Sequence, residues 1–271
     1  MAEHFICTTC GTQYPATDQP PASCPICEDE RQYVNPDGQE WTTLERLREN
    51  HRNVFNEAWA GLTTIRTEPS FAIGQRAHLI QTPAGNILWD CVTLLDDETV
   101  ERIQALGGLA AIAISHPHFH TTIAEWSHTF DAPVHIHRDN QQYVMRPNDS
   151  AIEYWQGETF EPLLGITLIR CGGHYHGSTA LHWANAGDGQ GALFTGDTIR
   201  EVADHRWVTF MYSYPNSIPL DASSVRRIAD AVAPYRFERL HSAFGRPLTT
   251  DANGAIQRSA ERYIARVEGV R

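Results

Sequence analysis

From Leu62 onward the apolar and polar positions alternate or cluster in short runs, which predicts strands at Leu62–Thr67, Phe71–Ile73 and Ala77–Gln81. The turn Thr82-Pro83-Ala84-Gly85-Asn86 then leads into a further strand, Ile87–Trp89. Glu98–Leu106 has helical spacing and stops at Gly107-Gly108, and the wholly apolar run Ala111-Ile112-Ala113-Ile114 reads as a buried strand. A helix over Thr122–His128 precedes a strand at Pro133–Ile136. More strands follow at Ile166–Arg170, Ala180–Trp183 and Ala192–Thr195, with helices at Ala222–Val232 and Ala252–Val267. Upstream, Trp41–Leu47 opens a helix with a threonine cap and an acidic first turn. Several strands before the first helix, then mixed alternation, predict sheets covered by helices.

Composition narrows the partners. A chain of 271 residues has room for one large domain and a small appendage, and 41% hydrophobic with 20% charged residues is the balance of a globular protein. A formal charge of -12 without a Lys/Arg stripe argues against nucleic acid and leaves a small-molecule substrate as the expected partner. No run reaches the roughly 18 apolar residues of a membrane span, and Met1-Ala2-Glu3-His4-Phe5 lacks the features of a secretory signal, so a cytoplasmic protein without membrane contact is expected.

Four of the six cysteines have metal-ligand spacing. Cys7-Thr8-Thr9-Cys10-Gly11 and Cys24-Pro25-Ile26-Cys27 are two C-x-x-C turns, and four thiolates from two tight turns suit one tetrahedral ion. Such an ion supplies folding energy that some thirty residues without a large core cannot. Residues 5–34 resemble the rubredoxin-like knuckle, above all the short-loop form appended to rubrerythrins; zinc and iron both fit four thiolates. The expected division is a knuckle at 1–38, a helical linker at 39–60 and a main domain at 61–271. Cys91 and Cys171 are expected as free thiols in the core.

The remaining chemistry follows strands. Ser115-His116-Pro117-His118-Phe119-His120 comes directly after Ala111–Ile114, and histidines two apart at a strand end can turn to one side. Gly172-Gly173-His174, Phe194-Thr195-Gly196-Asp197 and Arg239-Leu240-His241 repeat the placement. In that order these pieces resemble the metallo-β-lactamase superfamily over about residues 60–271. The resemblance implies an α/β fold, an αββα sandwich with its metal site at one edge. It further implies His116, His118 and His174 as ligands of a first zinc, Asp197 as bridging carboxylate, His241 as second-site ligand, and Asp90 as a carboxylate that steadies a ligand's imidazole.

The chain departs from the family's His-x-His-x-Asp-His: His120 stands in the aspartate's place and Thr121 in that of the last histidine. The second site is left with Asp197, His241 and His120, so one catalytic ion is expected and a second binds more weakly. Asp197 or His120 then acts as base or water-orienting group. His176, Tyr212 and Tyr214 are candidates for the substrate pocket. The implied activity is metal-dependent hydrolysis of an ester, thioester, lactone or amide. The alternatives are a non-catalytic metal-binding or interaction protein and a rubredoxin-linked redox protein on the same fold.

Overall fold

The computed structural model describes residues 2–270, which form two compact units. The first runs to Ile136 and takes in Gln141–Tyr154; the second joins His137–Asn140 to the chain from Trp155 onward.

The first unit opens with a three-stranded sheet in the order Gln13–Thr17, Glu3–Cys7, Trp41–Thr42. Its main sheet has seven strands in the order Ile152–Trp155, Val134–His137, Ala111–Ala113, Gly85–Trp89, Arg76–Thr82, Leu62–Glu68, Arg52–Trp59. The strands from Arg52 to Trp89 form an antiparallel meander, and Gly85–Trp89 then pairs in parallel with Ala111–Ala113. Ile87, Leu88, Ala111, Ile112 and Ala113 are all buried, as a strand covered on both faces requires.

Three local expectations change. Phe71–Ile73 is a turn closed by Gly74 N to Phe71 O at 2.9 Å, too short a run to pair. The predicted linker is helical only over Leu44–Asn50, capped by Thr43; Arg52–Trp59 is a strand, because its pairing with Leu62–Glu68 outweighs a weak local preference. The knuckle's own sheet reaches past residue 38. Trp41–Thr42 completes its sheet, and it falls in the same compact unit as the seven strands.

The second unit holds a five-stranded sheet in the order Thr159–Leu163, Ile166–Arg170, Thr179–Trp183, Ala192–Phe194, Arg239–His241, antiparallel except for the last pair. The helices Ala222–Val232 and Ala252–Val267 bury Val225, Ile228, Val232, Ile256 and Ile264 in one core with Ile169, Leu193, Phe210 and Leu240. Asp221 caps the first of them through Ser224 N at 3.0 Å.

Candidate metal centres

Both C-x-x-C turns close as expected. Cys7, Cys10, Cys24 and Cys27 are buried with their sulfurs within 4.8 Å of one another, Cys7–Cys27 and Cys10–Cys24 each at 3.6 Å. Gly11, at φ +81°, makes the first knuckle turn, its N–H donating to Cys7 O at 2.8 Å. Tyr14 Oη donates to Cys24 Sγ at 3.1 Å and Gln39 Nε2 to Cys7 Sγ at 3.2 Å. Donors aimed at sulfur favour thiolates; the neighbouring thiols, Cys10 foremost, hold the Cys7 thiol well below its usual range, while burial pushes the Cys10 thiol well above it, as expected where thiols crowd together. Four buried thiolates in that arrangement fit one tetrahedral cation.

The strand preceding the first histidines ends at Ala113, one residue earlier than expected. His116 and His118 therefore do not share a side through strand alternation. Pro117–Phe119 forms a single 3-10 turn, and this turn brings the two rings to 4.9 Å, nearly perpendicular.

Asp90, at φ +60° just beyond Gly85–Trp89, accepts Ser115 N at 2.7 Å on Oδ1 and the Ser115 hydroxyl at 2.9 Å on Oδ2. With its proton given to the carboxylate, Ser115 Oγ accepts from His116 Nδ1 at 2.8 Å. Asp90 thus reaches the imidazole through Ser115, a relay the sequence reading passes over. The relay fixes the His116 tautomer with its lone pair on Nε2.

His120 is set the same way. Its Nδ1 donates to the carbonyl of Tyr143 at 3.0 Å, and its buried Nε2 has no hydrogen-bond partner among the described residues. Burial, with repulsion from His116 and His118 opposed by the Tyr143 carbonyl, pushes its pKa down to about 4. The side chain is a neutral acceptor at neutral pH. Thr121 is buried and turns its hydroxyl to Cys91 O at 3.3 Å.

In the second unit, Gly172 and Gly173 lead into His174 with φ of +72° and +79°. A Cβ on Gly173 would stand 2.7 Å from Ile228 Cδ1, so any other residue would strain the backbone at this φ and have to displace the Ile228 side chain. His174 Nδ1 donates to Tyr212 O at 2.8 Å, which again leaves the lone pair on Nε2. Asp197 follows Ala192–Phe194 on a turn where Thr195 Oγ1 donates to Ile199 O at 2.6 Å. His241 ends the parallel strand, its ring stacked on Phe194 at 4.9 Å. The next residue, Ser242, is held by the buried carboxylate of Glu201 through both its N–H and its hydroxyl.

His116 and His118 in the first unit, and His174 and Asp197 in the second, are all buried. Three imidazoles and a carboxylate fit a divalent first-row ion such as zinc or iron. The remaining site candidates divide. The Tyr214 ring lies 6.3 Å from that of His174, and its hydroxyl is buried with no hydrogen-bond partner among the described residues. Burial and the charge of Asp197 raise its pKa well above the usual value. Tyr212 contributes its carbonyl to His174, and His176 is exposed. Ser115, Asn140, Tyr143 and Glu201 hold the loops without having stood out in the sequence. Asn140 pairs its side-chain amide with both backbone groups of Gly177, three residues after His174. Cys91 and Cys171 are buried free thiols, as expected.

Comparison with known proteins agrees with this fold. No family model matches the chain. The mono-zinc form of the metallo-β-lactamase FIM-1 from Pseudomonas aeruginosa superposes with a TM-score of 0.57 at 14% identity, covering 78% of this chain and 95% of that one. TTHA1623 in a di-iron-bound form superposes with a TM-score of 0.51 at 19% identity, covering 69% and 94%. The metallo-β-lactamase fold expected from the ordered motifs is therefore the fold of this chain. The uncharacterized protein YmaE of Bacillus subtilis is 51% identical over 263 residues, 96% of either chain. At that identity over nearly the full length of both proteins, the chain belongs to the family of Bacillus subtilis YmaE.

Proposed function

We propose that the protein is a metal-dependent hydrolase of small molecules containing an ester, thioester, lactone or amide carbonyl. The observation that carries the reading is the set of buried donors that follow strands in each unit, His116 and His118 in the first and His174 and Asp197 in the second, in the order of the metallo-β-lactamase motifs. These residues would hold a catalytic zinc, and the chemistry such an ion supplies is Lewis-acid polarisation of a carbonyl and activation of water at neutral pH.

The chain's own residues do the rest. Ser115 and the Tyr212 carbonyl keep His116 and His174 in the tautomer that presents Nε2. Asp197 or His120 would orient the attacking water and take its proton. His120, with Nδ1–H committed to Tyr143, offers Nε2 as the acceptor for that proton or as a ligand of a weaker second site with His241. The Tyr214 hydroxyl, kept protonated beside Asp197, donates to the oxygen that gains charge as the carbonyl is attacked. In the knuckle we assign a structural zinc or iron to the four cysteines. The expected setting is the cytoplasm; no helix among the described residues is long and apolar enough to cross a membrane.

Elemental analysis of the purified protein, followed by a panel of thioesters, lactones, esters, amides and phosphodiesters, tests the assignment. About two zinc ions per chain and turnover of a carbonyl substrate that chelation abolishes are expected. A loaded histidine centre that turns over nothing in the panel would favour a binding protein. A red, iron-rich knuckle with reversible bleaching would favour electron transfer.

A further inference from the structure

We propose that the four-cysteine knuckle positions the metal-binding histidine loop, and that Gln75 is the positioning residue through which it acts. The Gln75 side chain is buried, and its Nε2 donates at 2.7 Å to the carbonyl of the knuckle ligand Cys10 and at 3.1 Å to that of His118. Both amide protons are thus committed to carbonyls from the two candidate metal centres. Nothing in the proposed hydrolysis uses this residue.

The link does not rest on Gln75 alone. Gln13 N donates to Thr121 O at 2.9 Å, and Thr93 Oγ1 donates to Gly11 O at 3.3 Å. The carbonyl of Thr93 accepts the Thr122 hydroxyl at 2.7 Å. A Cβ on Gly11 would stand 2.2 Å from Thr93 Oγ1, so backbone and side chain meet there with no space to slide. Tyr143, whose carbonyl holds His120 Nδ1, packs against the cysteine cluster. The turn at residues 10–13 is therefore tied to residues 118–122 by several buried polar contacts.

Four thiolates held by one ion fix the geometry of the knuckle turns, and loss of the ion frees Cys10 to shift. If Cys10 shifts, the Gln75 amide must either leave a buried carbonyl unsatisfied or drag the His118 backbone with it. Ligand geometry in the histidine centre then depends on the state of the knuckle. This inference rests on the reading above, that His116 and His118 hold an ion.

The test uses the full chain. Gln75→Leu removes the clamp, and Asn86→Ala is the control, since Asn86 Nδ2 likewise donates to two carbonyls, Leu106 O and Gly108 O, in the same unit but away from the knuckle. Zinc content and the dissociation constant of the histidine-centre ion are measured by competition with a chromophoric chelator. Gln75→Leu is expected to weaken that ion roughly 10–100-fold, the range for partners that orient ligands, while the knuckle keeps its own. Asn86→Ala should lower thermal stability and leave the affinity unchanged. Wild-type affinity in Gln75→Leu, or an equal loss in both variants, overturns the proposal.

Should Gln75→Leu not fold, an organomercurial is titrated into the wild-type protein to displace the knuckle ion, and zinc exchange at the histidine centre is followed. Faster exchange supports the coupling; an unchanged rate refutes it. A wild-type protein with no ion at the histidines would instead remove the hydrolase reading itself, and elemental analysis shows that before any variant is made.

Discussion

Replacing Ser115 with alanine isolates the relay that fixes His116. Ser115 is fully buried, and its hydroxyl stands between Asp90 Oδ2 at 2.9 Å and His116 Nδ1 at 2.8 Å. Ser115→Ala deletes one oxygen and with it two hydrogen bonds, one of them to a buried carboxylate. The loss of a buried bond to a charged group costs about 1.5–3 kcal/mol, and the backbone bond from Ser115 N to Asp90 Oδ1 survives to hold the loop. The variant should therefore fold, with a midpoint shifted in urea. Metal binding should suffer separately. An imidazole that has lost its orienting partner binds roughly 10–100-fold more weakly, about 1.4–2.8 kcal/mol. The assay is chelator competition for the histidine-centre zinc at fixed pH, with Ser127→Ala as control. Ser127 is also buried, and its hydroxyl bonds the Ala132 carbonyl, so the control loses a buried serine hydrogen bond with no connection to the ligands. If Ser115→Ala keeps wild-type zinc affinity, or loses no more than Ser127→Ala, the relay does not set the tautomer and the reasoning is wrong.

Other perturbations reach different parts of the molecule. His120→Ala should depress turnover far more than zinc content, and equal losses would make His120 a ligand of the first ion rather than a proton acceptor. Gly173→Ala combines φ of +79° with a Cβ 2.7 Å from Ile228, so a loss of about 1–3 kcal/mol in urea unfolding is expected, with weaker zinc binding through His174. Asp221→Ala should cost about 0.5–2 kcal/mol at neutral pH. The Ser223 and Ser224 hydroxyls and the Ser224 N–H hold the Asp221 carboxyl below the usual range, so its contribution is fully present above the unfolded value near ~3.9. That contribution fades as pH falls through the lower folded value, and the gap between wild type and variant should close only in strong acid. Removing the knuckle ion with a strong chelator should change the fluorescence of Trp41, whose ring meets Tyr14 edge-on at 5.1 Å; an unaltered spectrum would mean that the turns hold without metal.

Much of this protein was legible in the chain itself. The two C-x-x-C turns, the run Ala111–Ile114 before the histidines, and His174 and Asp197 after their strands are local patterns of residue type, and residue type is what a sequence records. These patterns sufficed for the four-cysteine cluster and for the fold. They failed where pairing partners are distant: Arg52–Trp59 became a strand because Leu62–Glu68 lies beside it, and the histidine pair converges through a 3-10 turn rather than strand alternation. What only the tertiary structure decided is how each imidazole is held. His120 and His174 are fixed by the backbone carbonyls of Tyr143 and Tyr212, and Gln75 clamps those of Cys10 and His118. Every residue carries the same carbonyl, so no pattern of side chains marks which one will accept a ligand's proton. That choice is made when distant segments of the chain come within about 3 Å of each other.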